Sequence, residues 1–242
     1  MDDKLLTISE AATILGVSID TLRRWDKSGK LIGAHKDGGT HRYYRKIDLD
    51  IFMSDLYKLA LEWAVSSVGE EPAAMFYCAN SAIFQARVIA MENLLLKIPK
   101  FSKLFSLIVA ITGEIGNNSF DHNLGQWSDV PGIFFGYDLS KRQIILADRG
   151  LGVLRTLSRV KPDLKNHEDA LKVAFTEIIS GRAPEERGNG LKFVKAVIEG
   201  NSFSLNFYSG DAELKLGKDI ELSIQKSHLN MKGCLALLEF NN

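Results

Sequence analysis

The chain has 242 residues, of which 45% are hydrophobic and 25% are charged, and its 30 basic side chains balance 30 acidic ones. This composition excludes a disordered or fibrous chain, and the balanced charge means that affinity for nucleic acid must come from local clusters of basic residues. The length favours two domains. The two cysteines, Cys78 and Cys234, lie far apart without metal-ligand spacing, and the apolar runs are shorter than the roughly 20 residues of a membrane-spanning helix. We therefore expect a cytoplasmic protein that does not enter a membrane.

The first block of the chain, residues 1–55, consists of short helical patterns that predict one small domain. Residues 7–16 begin with hydroxyl side chains that can cap a helix, continue with apolar spacing and stop at a glycine. After a short turn, residues 19–27 predict a second helix that directs Arg23 and Arg24 outward. A helix, a turn and a second helix with basic side chains are the parts of a DNA-reading element.

Basic residues are concentrated in and after this second helix. Residues 21–46 include eight basic residues and two acidic ones, which predicts a positive patch suited to phosphates. Residues 36–45 have a glycine-rich tip flanked by basic and aromatic side chains, as a hairpin wing beside a DNA groove would need. The alternative is a small helical domain whose arginines are merely solvated.

Four segments of the block resemble the MerR and excisionase class of winged helix-turn-helix domains. They are Ser9-Glu10-Ala11-Ala12, Leu22-Arg23-Arg24-Trp25, the wing Gly-Gly-Thr-His-Arg-Tyr-Tyr-Arg and Asp48-Leu49. The resemblance implies double-stranded DNA as a partner, and because one such domain covers little DNA, we expect a homodimer on paired half-sites. The residues expected to face DNA are Thr21, Arg23, Arg24, His41, Arg42 and Tyr43.

Residues 56–75 predict a connection between two domains. Apolar residues recur at helical spacing up to residue 68, and Gly69-Glu70-Glu71-Pro72 then interrupts the pattern. We interpret this segment as a connecting helix followed by a hinge, and we place the second domain at residues 76–242.

The second domain combines helical and strand-like patterns. Helices are predicted near 79–97, 101–123, 167–180 and 189–199, and strands near 132–138, 143–147, 204–208, 220–225 and 233–240. This order predicts the α+β fold class, with helices covering one face of a mixed sheet.

Three short motifs of this domain predict a nucleotide site. The first is Glu114 and Asn118, which share one helix face because they are four residues apart. A glutamate there could activate a water for attack on a terminal phosphate, and an asparagine oxygen could hold a magnesium ion. Taken alone, both side chains could equally be solvated.

The other two motifs contain glycine. Asp148-Arg149-Gly150-Leu151-Gly152 directly follows a predicted strand, where a carboxylate can accept a hydrogen bond from an adenine amino group. Gly188-Asn189-Gly190-Leu191 opens a predicted helix, whose first N–H groups can bind phosphate oxygens. Taken alone, the motif at Asp148 could be an ordinary turn, and the motif at Gly188 could be a commonplace pair of glycines.

In this order, the three motifs resemble the N, G1 and G2 boxes of the GHKL ATPases. The resemblance covers roughly residues 79–240 and implies a Bergerat-type α/β sandwich that binds ATP and Mg²⁺. It implies Glu114 as the general base, Asn118 as the magnesium ligand and Asp148 as the adenine partner. The other residues expected around the nucleotide are His122, Gly150, Gly152, Arg187, Gly188, Gly190 and Leu191.

The sequence also departs from that family. The segment between the second and third motifs, which would be a mobile lid over the phosphates, lacks a phenylalanine box, and Ser119 stands where alanine is common. These departures favour nucleotide binding over turnover. Autophosphorylation, as in sensor kinases, is not favoured because no dimerisation helix with a phospho-accepting histidine adjoins the domain.

Taken together, the motifs predict a DNA-binding regulator whose nucleotide state changes how the protein engages DNA or a protein partner. One alternative is a Ser/Thr protein kinase of the anti-sigma-factor type. The other is a transcription factor whose second domain lacks nucleotide and serves for sensing or dimerisation.

Overall fold

The structure is a computed structural model. It describes residues 5–27, 31–35, 41–53, 56–177 and 190–240. The chain divides into two compact units, Met1–Leu59 and Ala60–Asn242. This division falls within the segment predicted as a connection, and helix α4 (Leu56–Val65) continues across it.

The first unit combines short strands with short helices. Its described elements are β1 (Leu5–Thr7), α1 (Ile8–Leu15), α2 (Ile19–Lys27), β2 (Ala34–His35), β3 (Arg42–Arg45) and α3 (Lys46–Met53). Strand β3 pairs antiparallel with both β1 and β2. β2 and β3 thus flank residues 36–40, where the sequence predicts the tip of the wing, and these tip residues lie outside the described ranges.

Helix α1 has the boundaries that its sequence predicts. The Thr7 hydroxyl accepts a hydrogen bond from the backbone N–H of Glu10, and the Glu10 carboxylate accepts one from the N–H of Thr7 at 2.7 Å. This capping box satisfies two of the N–H groups that a helix start leaves without partners. The helix ends at Gly16, whose φ of 64° is left-handed and therefore favours glycine. Leu22 of α2 is fully buried in the core of the unit.

The described part of the second unit contains helices and longer strands. The helices after α4 are α5 (Ser81–Leu96), α6 (Phe105–Asn123), α7 (Gly152–Leu157), α8 (His167–Thr176) and α9 (Gly190–Gly200). The strands are β4 (Tyr77–Cys78), β5 (Ile133–Asp138), β6 (Gln143–Asp148), β7 (Phe203–Ser209), β8 (Ala212–Gly217), β9 (Ile220–Lys226) and β10 (Cys234–Phe240). The predicted α+β class is confirmed.

The seven described strands form one sheet in the order β4-β5-β6-β10-β7-β8-β9. All six pairings are antiparallel, so the predicted mixed sheet is wrong. Tight connections force neighbouring strands such as β5 and β6 to run in opposite directions. β10 then returns between β6 and β7 and runs antiparallel to both. The direction of β10 is set by the connection that leads to it from β9, and the hydrophobic pattern of the sequence does not encode this connection.

The sheet uses the two-residue alternation of its strands to build two packed faces. Phe135 of β5 meets Phe84 of α5 edge-on at 5.3 Å, on the face covered by α5, α6, α8 and α9. The adjacent Phe134 points the other way and stacks on Phe76 at 4.7 Å. Successive side chains of a strand alternate between faces, so one strand anchors both layers.

Helix α6 has 19 residues and is the longest of the described helices. Neither it nor any other helix within the described ranges is both long enough and apolar enough to cross a membrane. Its polar residues, which include Glu114 and Asn118, are instead brought close to the turn after β6 and to the start of α9.

Candidate functional site

Helix α6 supplies one wall of a cavity in the second unit. Glu114, Asn118 and His122 follow one another at intervals of four residues, so they share a helix side. Ile108 and Ile111 of the same helix are fully buried. Because these apolar residues anchor α6 in the core, the positions of its polar side chains are fixed.

Asp148 ends strand β6 with its carboxylate directed at α6. It is 2% exposed and accepts hydrogen bonds from the Ser119 hydroxyl at 2.8 Å and from the backbone N–H of Gly150 at 2.9 Å. The Asn123 amide adds a longer contact of 3.4 Å. Burial raises the pKa of Asp148, while the donors from Gly150, Ser119 and Asn123 act in the opposite direction.

The turn after Asp148 needs glycine at two positions. A Cβ at Gly150 would lie 2.1 Å from the Asn123 side chain, which is closer than atoms can approach. Gly152 has a φ of 72°, a left-handed value that favours glycine. Between them, the N–H of Leu151 donates to the Asn123 side-chain oxygen at 2.7 Å. The turn is therefore bound tightly to the end of α6.

The start of α9 meets the other end of this α6 surface. A Cβ at Gly190 would lie 2.4 Å from Oε2 of Glu114 and 3.5 Å from Nδ2 of Asn118. The absence of a side chain therefore lets the first turn of α9 approach the carboxylate and the amide. The N–H groups of such a turn have no partner within the helix and favour anions.

These elements line a cavity of about 100 Å³ that is partly open to solvent. The predicted residues that line it are Asn118, His122, Asp148, Gly152, Gly190 and Leu191. Glu114 lies beside Gly190, and Gly150 holds Asp148 through its N–H. Arg187 and Gly188 lie outside the described residues. The structure thus brings residues from three separate sequence motifs to one cavity.

Sequence reasoning missed several residues of the cavity. Ser119 and Asn123 fix the Asp148 carboxylate, although the sequence offers only their spacing of four on α6 as a signal. Cys234 and Lys192 also line the cavity. Burial raises the pKa of the Cys234 thiol well above its ordinary value, and the nearby Asp148 adds to this shift. Cys234 is therefore a neutral wall residue.

Arg149 adjoins Asp148 but its side chain makes a separate network. The guanidinium is completely buried and forms two hydrogen bonds with the Asp129 carboxylate, at 3.0 and 2.6 Å. It also donates to the backbone oxygens of Trp63 and Ser66 at the end of α4. This arrangement neutralises the buried charge and joins the turn after β6 to α4.

The first unit presents the predicted DNA-facing residues on α2 and β3. The Arg24 guanidinium donates a hydrogen bond to the Thr21 hydroxyl at 3.2 Å, and Arg23 forms an ion pair with Asp20 at 2.9 Å. Both arginines are exposed. Because these partners are on the same helix surface, they hold the guanidinium groups at the solvent boundary.

The N-terminal residues match a known family. Residues 7–44 match the family described as MerR family regulatory protein. They form a MerR-type DNA-binding domain. In addition, 57 residues of the chain are 42% identical to the Type II methyltransferase M.Eco47II of Escherichia coli. This match spans 24% of the chain and only 14% of the methyltransferase.

Within the MerR-type domain, the residues predicted on the wing differ in their exposure and in their contacts with the rest of the domain. His41 is exposed, whereas Tyr43 is half-buried in the β1-β3-β2 sheet. Arg42 is paired internally with Asp26, which also accepts the N–H of Gly33 at 2.9 Å. This internal pair links β3 to α2, a contact between distant residues that the sequence pattern does not signal.

The pair of Asp129 with Arg149 predicts an acid-sensitive fold. Asp129→Asn should destabilise the protein by about 3 kcal/mol at neutral pH, because a buried guanidinium loses its compensating charge. Hydrogen bonds from Arg149 hold the folded-state pKa of Asp129 well below the ordinary value of about 3.9. The ionised pair therefore stabilises the fold above that ordinary pKa, and the contribution is lost as the pH falls toward the folded-state pKa.

Urea unfolding of wild type and D129N between pH 7 and pH 3 measures this effect. The difference in the free energy of unfolding between wild type and D129N should become smaller as the pH falls. Asp219→Asn, at an exposed turn, is the matched control and should follow wild type throughout. A gap that is constant with pH would contradict the assignment of the acid dependence to Asp129.

Proposed function

We propose that this protein is a DNA-binding regulator whose second unit binds ATP with Mg²⁺, and whose nucleotide state changes how the MerR-type domain engages DNA or a protein partner. A homodimer on paired half-sites is part of this proposal. The observation that carries it is the Asp148 carboxylate, which is buried and fixed at the wall of a cavity that Asn118 and the start of α9 also line.

Asp148 supplies the base-recognising end of the proposed site. A carboxylate is a strong acceptor for the exocyclic amino group of adenine, and burial strengthens this hydrogen bond because little water competes. The Ser119 and Gly150 donors hold the carboxylate in place before the ligand arrives. Apolar residues of the wall, such as Leu146 and Val153, give a planar base a surface to pack on.

The α9 start and α6 supply the phosphate end. The first N–H groups of an 11-residue helix can donate hydrogen bonds to phosphate oxygens, and the helix dipole favours the negative charge of the phosphates. Mg²⁺ is usually held by one or two protein oxygens together with phosphates. The Asn118 amide, close to both Gly190 and the Glu114 side of α6, fits that requirement. The ion would neutralise phosphate charge.

We assign Glu114 the role of general base. Its Oε2 lies where the α9 start approaches α6, so a water bound there would adjoin a terminal phosphate held by the N–H groups. The carboxylate would orient this water and accept its proton. This step is separate from adenine recognition, which we assign to Asp148.

The first test concerns adenine recognition. Asp148→Asn should weaken ATP binding by about 10-fold to 100-fold, which is the range for losing a hydrogen bond to a charged group. Isothermal titration calorimetry with ATP and Mg²⁺ measures the dissociation constant. The control Asp163→Asn changes an exposed aspartate that is not part of the cavity wall and should bind as wild type does. Unchanged ATP affinity in D148N would refute the site.

The second test separates turnover from binding. Glu114→Gln should lower the rate of phosphate release by about 100-fold or more while leaving ATP affinity within a few-fold of wild type, because a general base acts in the transition state. A coupled phosphate assay gives the rate. Glu221→Gln, on the exposed part of β9, serves as the control. Equal rates in wild type and E114Q would exclude Glu114 as the base.

The third test concerns DNA. Arg24→Ala should weaken binding to a random-sequence duplex at low salt and reduce the slope of log affinity against log salt by about 0.9, the value for one phosphate contact. Fluorescence anisotropy at several salt concentrations gives both quantities. Lys218→Ala removes the same charge from an exposed site in the second unit and should leave the slope unchanged. Identical slopes for R24A and wild type would remove Arg24 from the interface.

A further inference from the structure

Lys192 lines the same cavity, and the proposed function above does not use it. It is the third residue of α9 and follows Gly190 and Leu191, which also line the cavity. Among the described residues of the cavity wall, Lys192 is the only lysine or arginine. The same wall carries the buried carboxylate of Asp148, so Lys192 is the lysine there whose charge has the sign that suits an anionic ligand.

The surroundings of Lys192 make its ammonium a stronger partner than a surface lysine. Burial lowers the pKa of Lys192, while the Glu177 carboxylate acts in the opposite direction. Glu177 is itself paired with Lys161 at 2.6 Å. Partial loss of water means that an anion near Lys192 meets less competition from solvent, so the attraction is larger than in bulk water.

The position on α9 determines which part of a nucleotide Lys192 would meet. The first turn of α9 approaches Glu114 and Asn118, whereas the contacts that hold Asp148 come from Ser119 and Gly150. The ammonium therefore belongs to the phosphate end of the site. A helix start offers only about half a positive charge, which is far less than a triphosphate requires for neutralisation.

We propose that Lys192 is a phosphate-binding residue that makes the site selective for nucleoside triphosphates over the nucleoside. This inference rests on the proposed function, since it assigns one end of the same nucleotide site. Lys192 contacts the terminal phosphates from α9, while Asp148 contacts the base. The two residues thus recognise different parts of one ligand.

Calorimetric titrations of ATP, ADP and adenosine test this division in the full chain with Mg²⁺. Lys192→Met should weaken ATP binding by about tenfold or more, weaken ADP binding less, and leave adenosine binding unchanged. Lys192→Arg should retain most of the affinity for ATP. Lys195→Met is the matched control, because Lys195 lies on the same helix, pairs with Glu199 at 2.8 Å and is not part of the cavity wall.

The outcomes separate the two proposals. If wild type binds ATP and D148N does not, but K192M binds ATP as wild type does, the role of Lys192 is overturned while the nucleotide site stands. Equal losses of ATP and adenosine in K192M also overturn it, because a phosphate contact cannot affect a ligand without phosphate. If wild type binds none of the three ligands, both proposals fail. Thermal unfolding of each variant identifies misfolding, and Lys192→Gln replaces K192M if that variant does not fold.

Discussion

The turn that follows β6 is the constraint on which the second unit depends. Asp148, the last residue of β6, and Arg149, the first residue of the turn, point in opposite directions, as successive residues at a strand end do. Asp148 is directed at α6 and the cavity, where Ser119 and Gly150 hold its carboxylate. Arg149 is directed at Asp129 and the end of α4. One turn therefore fixes both the cavity wall and the packing of the helix that enters the unit.

The same turn explains why two buried charges are tolerated so close together. Each has hydrogen-bonding partners of its own, so neither the carboxylate of Asp148 nor the guanidinium of Arg149 is left unsatisfied. The two charges also have different surroundings. Arg149 is neutralised by the Asp129 carboxylate, whereas the donors to Asp148 among the contacts described are dipolar groups of Ser119, Gly150, Asn123 and the Cys234 backbone. Among these contacts, Arg149 therefore has a counter-charge and Asp148 does not.

Much of this arrangement could be predicted from local patterns. Spacing of four residues placed Glu114, Asn118 and His122 on one helix face, and the position of Asp148 after an apolar run placed it at a strand end. These are periodic or terminal signals, which depend on neighbours in the sequence. Whether the three motifs met at one cavity depended on the sheet, whose strand directions were predicted incorrectly because they follow from long-range connections.

Other features could not be predicted because they exist only as contacts between distant residues. The Asn123 side chain packs against Gly150 and accepts a hydrogen bond from the N–H of Leu151, and both residues lie more than 25 positions further along the chain. The charge of Arg149 is compensated by Asp129, and no spacing rule connects these two positions. Helix α7, with six residues, is too short to show a helical period. The sequence does not distinguish Lys192 from a surface lysine, because the cavity beside it is formed only in the folded protein.

The bonds from Arg149 to α4 also limit how the two units can be exchanged between proteins. The carbonyl groups of Trp63 and Ser66 that receive the guanidinium lie in a segment that looks like a spacer in the sequence. A natural fusion or an artificial truncation that cut after Ser66 would leave a buried cation short of acceptors. A functional boundary therefore has to lie upstream of Trp63, so that this part of α4 is inherited together with the cavity.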